Sequence, residues 1–569
     1  MDHHIQFKDV TFTYAGSKAP ALKDINLEIK TGEIVLISGP AGSGKTTLCS
    51  CINGLIPHYH EGDLAGNVTV GPYDTRNVRV GGLASLVGMV FQDPESQLVT
   101  NSVADEVAFG PENLGIPRDE IEKRVEEALK VTRMRGYEER EPYSLSGGEQ
   151  QACVIAATYS MQPEIYVMDE PLANLDPAGR AQVMEVVIKM ARQRGKTLVI
   201  VEHALEEMLP LVERVIVMDK GKIVRDGSVA SVLAAGDIKG IFMRPTIVRL
   251  AEEMSINSHP IKPEQLIQEI HSHFKPAALK ARIEKEHSNG KGELVIEMQD
   301  VTYAYEKGMH ALYDVSLKIH AGEFVALMGR NGSGKTTLVS HLIALLQPNK
   351  GKVIVTGKDT SETPTHILAR DVGFCFQNPN HQIVSFNVKE EMTFGLKAHG
   401  IAPEEFDTRI RDALKIVNMQ DYLDAEIFDL GKGQKQRIAL ASVLTLKPNI
   451  LVVDEPTTGQ DPEMALDIFN IIKTLNQAGT TVIAITHNVE LAALFAQRAI
   501  VLNKGHVAFD GAISDLLCNE ELMQANSLEL PPITKLAKNL SQFGIPPNTV
   551  RYEDMKQYLQ TIVEVPHGN

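Results

Sequence analysis

The eight residues Gly39-Pro40-Ala41-Gly42-Ser43-Gly44-Lys45-Thr46 return as Gly329-Arg330-Asn331-Gly332-Ser333-Gly334-Lys335-Thr336, so one chain carries the same glycine-rich loop twice. Each loop follows an apolar run with strand character, Glu33 to Ser38 or Glu323 to Met328, and leads into a helical pattern. A strand that turns through glycines into a helix aims backbone N–H groups and a helix N-terminus at one point, which suits phosphate oxygens. In that setting Lys45 and Lys335 reach the terminal phosphates of a nucleotide, and the hydroxyls of Thr46 and Thr336 are placed for Mg2+. Thr47 and Thr337, the next residues, complete the expected phosphate set.

The repetition extends well beyond the loops. Lys45 and Lys335 are 290 residues apart, whereas Gln92 and Gln377, Gly148 and Gly433, and Asp169 and Asp454 are each 285 apart. Two halves in near register are therefore duplicates. The change of offset is expected in a longer loop of the first copy, Pro57 to Gly66. The domains expected are 1–240, a helical appendage with linker over 241–293, a second copy over 294–525, and a C-terminal appendage over 526–569. Each appendage opens with a proline-started amphipathic helix, near Pro245 and near Pro531, followed by a second helix, Pro263 to His271 and Tyr552 to Leu559. Lys280 to Gly292 reads as a charged, exposed linker. The appendages are open to two readings, packing on their own domain or meeting each other or a partner.

Composition narrows the class. With 73 acidic against 56 basic side chains the net charge is −17, which disfavours nucleic acid and anionic membranes as bulk electrostatic partners. The five cysteines lack the spacing of a metal or redox set and are expected as buried thiols. Met1 to Lys8 is polar and charged, unlike an N-terminal signal. Apolar stretches such as Leu83 to Phe91 fall far short of the roughly 20 residues needed to cross a bilayer. Any membrane-spanning role is expected to fall to other chains.

Two further strands end in charge. Ile165 to Val167 with Met168 leads into Asp169-Glu170, and Ile450 to Val453 leads into Asp454-Glu455. Runs apolar at every position are buried on both faces in a parallel sheet. At their ends the first carboxylate can hold Mg2+ and the second can polarise a water. A later strand ends in Glu202-His203 or in Thr486-His487, about 33 residues on, where the histidine is expected to donate to a terminal phosphate.

Leu145-Ser146-Gly147-Gly148-Glu149-Gln150-Gln151, flanked by Gln92 and Asp169, resembles the signature of ATP-binding-cassette (ABC) ATPases. The resemblance covers nearly the whole chain. It implies an α/β fold with two P-loop NTPase domains of ABC type in tandem, each with an antiparallel β subdomain and an α-helical subdomain. It implies ATP and Mg2+ as cofactors, Tyr14 and Tyr305 stacking on adenine, and Glu170 and Glu455 as catalytic carboxylates aided by His203 and His487. Thr46, Gln92 and Asp169, and Thr336, Gln377 and Asp454, would serve Mg2+. The phosphate set is Gly39, Gly42, Gly44, Lys45, Thr46 and Thr47 with Gly329, Gly332, Gly334, Lys335, Thr336 and Thr337. Head-to-tail pairing of the two domains would complete each site with the signature of the other copy, Ser146, Gly147 and Gly148 or Gly433 and Gln434.

The second signature departs from the family pattern, reading Leu430-Gly431-Lys432-Gly433-Gln434-Lys435-Gln436-Arg437, with glycine for serine and lysine for a glycine. A hydrogen bond to a charged group contributes about 1.5–3 kcal/mol. Its loss in the transition state slows a site roughly ten- to hundredfold. The expectation is that the site of Lys335 and Glu455, completed by Ser146, is the more active; the alternative is that both sites turn over, with the charge of Lys432 offsetting the lost contacts. The first signature departs less, with Glu149 for glutamine and Ala152 where the second copy has Arg437.

The segments Gln92-Asp93-Pro94-Glu95-Ser96-Gln97 and Gln377-Asn378-Pro379-Asn380-His381-Gln382, with Val103 to Gly115 and Val388 to Leu396, resemble those of energy-coupling factor transporters. The resemblance implies an importer of a vitamin or of cobalt or nickel ions. In such systems a transmembrane coupling protein docks beside the glutamine loops and a separate membrane protein binds the substrate. The ATPase then lies on the cytoplasmic face of the membrane. Asp105 with Glu106 and Glu390 with Glu391 either pair with arginines of the coupling protein or form a solvated helix face. His58 and His60 read as surface or packing residues rather than metal ligands. A soluble tandem cassette that activates another enzyme or acts in translation is the alternative reading.

Overall fold

The apolar run before each glycine loop becomes the centre of a sheet, Ile34–Ser38 in the first copy and Phe324–Met328 in the second, buried at every residue. The computed structural model describes residues 5–564 apart from 146, 173, 174, 176, 204, 236, 237, 239, 240, 243, 257, 276–291, 306–308, 458–461 and 562. The chain divides into two units, Met1–Ser272 and His273–Asn569. Most of the expected linker, Lys280 to Gly292, lies outside the described residues.

In the first unit a six-stranded sheet runs in the order Lys222–Ser228, Arg214–Asp219, Ile34–Ser38, Thr197–Val201, Ile165–Asp169, Val87–Val90. The outer pair is antiparallel and the remaining neighbours are parallel. The second unit repeats this as His506–Ala512, Arg498–Asn503, Phe324–Met328, Thr481–Ile485, Ile450–Asp454, Val372–Cys375. Each unit adds a four-stranded antiparallel sheet. In the first it runs Leu22–Ile29, Ile5–Tyr14, Gly62–Val70, Tyr73–Asp74. The first unit's helical part is Val103–Asn113, Arg118–Val131 and Gly147–Ser160; the second's is Val388–Ala398, Phe406–Ile416 and Lys432–Leu444. These are the α/β core, antiparallel subdomain and helical subdomain expected from sequence.

Strand alternation divides each interior in two. Val35 and Ile37 join Ile5, Phe7 and Leu22 in a core between the two sheets. Leu36 points the other way, into a core with the helices that contains Val107, Val154 and Met190. Val325 and Leu327 against Phe324, Ala326 and Met328 repeat the division in the second unit.

The first appendage helix, Thr246–Glu253, places Val248 in the core of its own unit, and Leu530 and Val550 pack against the second unit's core. Phe274–Lys275, in the stretch expected as first appendage and linker, pairs antiparallel with Val563–Glu564 of the expected C-terminal appendage, so packing on the domain cores occurs alongside a contact between the two stretches. Their second helices are Pro263–His273 and Tyr552–Gln560, slightly longer than expected. The run Pro57 to Gly66 is not one loop, because Leu55–His58 forms a helical turn and Gly62–Val70 is a nine-residue strand. The corresponding strand of the second copy, Lys350–Val355, has six residues. Longer pairing with Ile5–Tyr14, out to Tyr14 opposite Gly62, thus takes up the change of offset. Four cysteines are buried as expected, but Cys518 is exposed. Among the described residues no helix is long and apolar enough to cross a membrane.

The inner strands Gly62–Val70 and Lys350–Val355 of the antiparallel sheets carry glycines in the left-handed region, Gly66 at φ 81° and Gly351 at φ 92°. A Cβ on them would stand 2.2 Å from the Asp9 carbonyl oxygen and 2.4 Å from that of Asp300, respectively. Gly66→Ala and Gly351→Ala are each expected to cost about 2 kcal/mol or more. That lowers the melting of the altered unit by roughly 5 °C. Gly81→Ala, in open space on a helix, is expected to leave melting unchanged or raise it. Calorimetry of the three variants checks the ranking.

Candidate functional site

Both glycine loops adopt one conformation. Gly39, Gly42 and Gly44 lie at φ 148°, 74° and 99°, and Gly329, Gly332 and Gly334 at φ 138°, 73° and 103°. Gly39 also lies so close to the next strand that a Cβ would stand 2.0 Å from the Met218 carbonyl oxygen. The helices that follow, Lys45–Ile52 and Lys335–Ser340, begin with no side-chain cap and no acidic residue in the first turn. Their first N–H groups are thus left for an anion. Lys45 donates from Nζ to the carbonyl oxygens of Gly39 and Pro40, both at 2.9 Å, so the ammonium is buried inside the curl of its own loop. Lys335 does the same toward Gly329 at 2.8 Å and Arg330 at 2.9 Å.

The acidic pairs close against these loops. Thr336 donates to Asp454 Oδ2 at 2.8 Å, and Thr46 is hydrogen-bonded to Asp169. Burial, the largest influence, pushes both aspartates up to about 6; the neighbouring Glu170 or Glu455 adds to this, and the threonine and lysine oppose it. Asp169 Oδ1 and the hydroxyls of Ser43 and Ser333 are buried without a hydrogen-bond partner. An oxygen-rich pocket with orphaned acceptors beside a threonine hydroxyl fits a hard divalent cation.

Glu170 and Glu455 sit in the left-handed region, at φ 49° and 43°, a conformation uncommon for a residue with a side chain. Their amides donate to the Val201 and Ile485 carbonyl oxygens, across from the strands that carry the histidines. Gln92 donates to Glu170 Oε2 at 2.6 Å and Gln377 to Glu455 Oε2 at 3.0 Å. The other oxygen of each glutamate faces histidine, His203 Nε2 at 3.1 Å and His487 Nδ1 at 3.6 Å. Glutamine, glutamate and histidine from three strand ends thus converge in each unit, as the sequence expected. Tyr14 and Tyr305 hold their hydroxyls against Thr47 and Thr337, at 3.1 Å and 3.0 Å, which ties both rings to the helix after the loop.

The signatures are less uniform. Ser146 lies outside the described residues. Gly147 and Gly148 open the helix Gly147–Ser160, and a Cβ on Gly148 would stand 3.3 Å from Leu175 Cδ2. Gln434, expected to touch nucleotide, turns its Oε1 back to accept from the Gly431 N–H at 3.0 Å. It caps its own helix, a pattern readable from glutamine three residues into a helix start.

One expectation is corrected. Glu106 and Glu391 neither face solvent nor await an arginine. Glu106 is buried and its Oε2 accepts from the Val99 N–H, the Thr100 N–H and the Thr100 hydroxyl, all at 2.9 Å. Glu391 does likewise with the Val384 and Ser385 N–H groups at 3.0 Å. Asp105 and Glu390 stay exposed at capped helix starts, where Ser102 donates to Asp105 and Asn387 accepts from the Glu390 N–H. His58 contacts the Thr75 carbonyl oxygen at 2.8 Å and His60 lies edge-on to Tyr14, both packing roles. No histidine, cysteine and carboxylate cluster suited to a metal occurs among the described residues.

Glu202 is a site residue that sequence reasoning noticed but gave no role. It is buried and accepts from the Leu172 N–H at 2.8 Å and the His203 N–H at 3.0 Å. Burial, then the charge of Glu170, push its carboxyl up to about 7, opposed by those two bonds and by Arg180. Its counterpart Thr486 accepts from Asn488. The signal available was the difference between copies at a position beside a shared histidine.

A family model described as "ABC transporter" matches residues 22–173 and 312–458. A protein of Caldanaerobacter subterraneus subsp. tengcongensis, provisionally named an ABC transporter ATP-binding protein, is 38% identical over 556 residues, covering 95% of this chain and 97% of that one. A provisionally named counterpart from Methanosarcina acetivorans is 37% identical, covering 98% of this chain and 94% of its own. Among solved structures, cbiO1 of Clostridium perfringens, described as part of the ABC transporter complex cbiONQ, is 30% identical with a TM-score of 0.38, over 42% of this chain and 97% of that one.

A carboxyl whose folded value is raised from 4.5 to about 7 contributes stability that is complete at low pH and lost as pH rises through 7. For Glu202 that change is at most about 3 kcal/mol between pH 4.5 and pH 8. Glu202→Gln is expected to flatten the pH dependence of the first unit's unfolding over this window. Denaturation at pH 5 and pH 8 measures it against the wild type, in which Asp169 still titrates.

Proposed function

The chain belongs to the ABC transporter family as an ATP-binding protein, and from that premise we propose that it hydrolyses ATP to drive a micronutrient importer of the energy-coupling factor type. The substrate is a vitamin or a cobalt or nickel ion, bound by a separate membrane protein. A transmembrane coupling protein receives the work, with this chain on the cytoplasmic face of the membrane.

The observation that carries the docking half of the proposal is an exposed apolar set present in both units beside the glutamine loops. Val99, Phe109 and Tyr143 are 61%, 47% and 61% exposed, and their counterparts Val384, Phe394 and Phe428 are 65%, 58% and 74% exposed. Phe386, 72% exposed, enlarges the second set and lies 6.3 Å from Phe428 between ring centres. Large apolar groups left in water at the same three positions of two duplicated domains mark an interaction surface. The segment bearing Val99 follows Gln92, whose amide holds the catalytic Glu170, so a partner on this surface lies one short loop from the reacting centre.

In the chemical half, Glu170 and Glu455 orient and polarise the attacking water, with Gln92 and Gln377 holding each carboxylate in place. His203 and His487 donate to the terminal phosphate, and Lys45 and Lys335 leave their loop carbonyls for phosphate oxygens. Tyr14 and Tyr305 stack on adenine. Mg2+, held through Thr46, Asp169 and Gln92 or through Thr336, Asp454 and Gln377, neutralises phosphate charge. Each ATP is shared with the signature of the other copy, so the site of Lys335, Asp454, Glu455 and His487 with Ser146 and Gly148 is the more active. The site of Lys45, Asp169, Glu170 and His203, completed by Gly433 and the altered second signature, turns over more slowly.

Glu455→Gln is accordingly expected to remove most ATPase activity, and Glu170→Gln a minor part; equal losses would abolish the asymmetry. The transport assignment is tested by purification from detergent-solubilised membranes, which is expected to bring down two membrane proteins. Phe109→Asp with Phe394→Asp should release them while ATPase of the isolated chain stays within about twofold. Recovery of ribosomes or a soluble enzyme in their place sinks the importer reading.

A further inference from the structure

His341 opens the short helical turn His341–Ile343 that continues Lys335–Ser340, the helix after the second glycine loop. It is 0% exposed. Its Nδ1 donates to the Thr337 carbonyl oxygen at 2.7 Å, which fixes the tautomer and leaves Nε2 as a buried acceptor with no hydrogen-bond partner. Burial holds the imidazole below its ordinary range, opposed by the Thr337 bond, so the ring is neutral at pH 7. An orphaned acceptor in the interior is a cost that a leucine of similar size would not carry. Such a group, kept in a folded chain, calls for an explanation.

The neighbouring rings supply one. The imidazole meets Tyr303 edge to face, with ring centres 5.1 Å apart and planes at 82°, and Tyr303 meets Tyr305 in the same way at 5.0 Å and 87°. Edge-to-face contacts of this kind favour one relative orientation of the rings. Tyr305 is tied in addition by its hydroxyl to Thr337 Oγ1 at 3.0 Å. Thr337 thus holds both ends of the row of rings, His341 through its carbonyl oxygen and Tyr305 through its hydroxyl, and the circuit closes on the helix that follows the glycine loop. Tyr305 is nevertheless 43% exposed, which leaves ring surface for a flat ligand. The first unit is built differently. Phe12 and Cys51 stand where the second has Tyr303 and His341, so Phe12 packs 4.8 Å from Tyr14 while the position of the imidazole holds no ring. The histidine near Tyr14 is the exposed His60, 6.0 Å away at 81°, and the corresponding stretch of the second copy, Ala344 to Lys350, contains no histidine.

We propose that His341 is a positioning residue that, through Tyr303, orients the Tyr305 ring for the base of a nucleotide bound at the second glycine loop. The inference rests on the reading of Tyr305 as the ring that stacks on adenine, and adds what sets that ring. A stacking surface whose tilt is already fixed binds better, because its ordering cost is met before the ligand arrives. Closure of the circuit on Thr337 also ties the base-facing ring to the helix whose N-terminus faces the phosphates, so both ends of a nucleotide are referred to one element. Since the first unit holds Tyr14 by other contacts, a change at His341 alters base recognition at the second loop alone.

Calorimetric titration of the full chain with MgADP and with magnesium pyrophosphate, which presents phosphates without a base, tests the brace. Lys45→Ala is carried throughout to weaken the first loop. His341→Leu and Tyr303→Leu are each expected to raise Kd for MgADP about five- to tenfold and to change that for magnesium pyrophosphate less than about twofold. Tyr303→Phe, which keeps the ring and matches the first copy, should stay within about twofold for both ligands. His341→Leu should leave the melting of the second unit unchanged or raise it, because the orphaned acceptor is gone. Affinity for the base and stability then move apart, which a purely structural role does not allow. If Tyr303→Leu folds poorly, His341→Cys serves as the second ring-free variant, with the same expectation. Equal weakening of both ligands, or no weakening of MgADP, overturns the proposal. Tyr305→Ala separates it from the reading beneath it. If Tyr305→Ala weakens MgADP and His341→Leu does not, the brace falls and stacking on Tyr305 stands; if Tyr305→Ala leaves MgADP unchanged, the stacking reading falls and takes the brace with it.

Discussion

Each unit is organised around negative charge held out of water at the end of a central strand. Asp169, Glu202, Asp454 and Glu455 are all less than a tenth exposed, in places where an isolated carboxylate is costly. The surrounding structure offsets that penalty piece by piece. A buried lysine faces each aspartate, a threonine hydroxyl donates to it, and glutamine and histidine take the two oxygens of the following glutamate. Those partners come from different strands and loops, so the charge can be tolerated only when the parallel sheet, the glycine loop and the glutamine segment are all assembled. The aspartates remain raised to about 6 even so, and an orphaned oxygen on Asp169 leaves the balance incomplete until a cation and an anion arrive together. A divalent cation bound there together with an anion, as the proposed function requires, would complete these electrostatics.

The same economy of charge explains the face beside the glutamine loops. Glu106 and Glu391 are drawn inward to satisfy backbone N–H groups of the segments that present Val99 and Val384. The loop is rigidified from within by its acidic residue while its apolar side chains are turned outward. A surface prepared in this way keeps the contact groups of a partner in fixed positions, which reduces the ordering cost of association. Because the glutamine that precedes the loop also grips the glutamate at the strand end, displacement of the loop would displace that carboxylate.

How far the sequence carried this picture depended on range. Strands apolar at every position, such as Ile165–Asp169, announced a sheet buried on both faces, and duplication announced that there were two. The loop glycines, the acidic pairs and the histidines met where their spacing said they should, because a parallel sheet brings strand ends to one edge. Glu106 was misread since an Asp-Glu pair on a helix start has the pattern of a solvated face; only the fold-back of Val99 and Thr100 onto it, a tertiary event, buries the second carboxylate. The run after Pro57 was misread for the opposite reason, its glycines and polar residues masking a strand that forms because Ile5–Tyr14 offers an edge to pair with. The cap made by Gln434 was local and was readable all along.

Duplication makes the divergence between copies informative, because each unit serves as the control for the other in the same chain. Most of the acidic centre is shared: the same bond from glutamine to glutamate, the same left-handed glutamate, the same buried lysine. The differences gather in two places, at the signature, where Gly431 and Lys432 replace the serine and glycine of the first copy, and at the strand end and helix behind it, where Thr486 and Ala465 replace Glu202 and Arg180. Random drift would scatter changes over exposed faces, yet Glu202 is among the most buried charges in the chain and its loss is matched by loss of the arginine that opposes it. A buried carboxylate is kept only with its compensating partners, so the pair is held or lost as one element. The copy whose signature keeps the serine and the first glycine is the copy that keeps the pair.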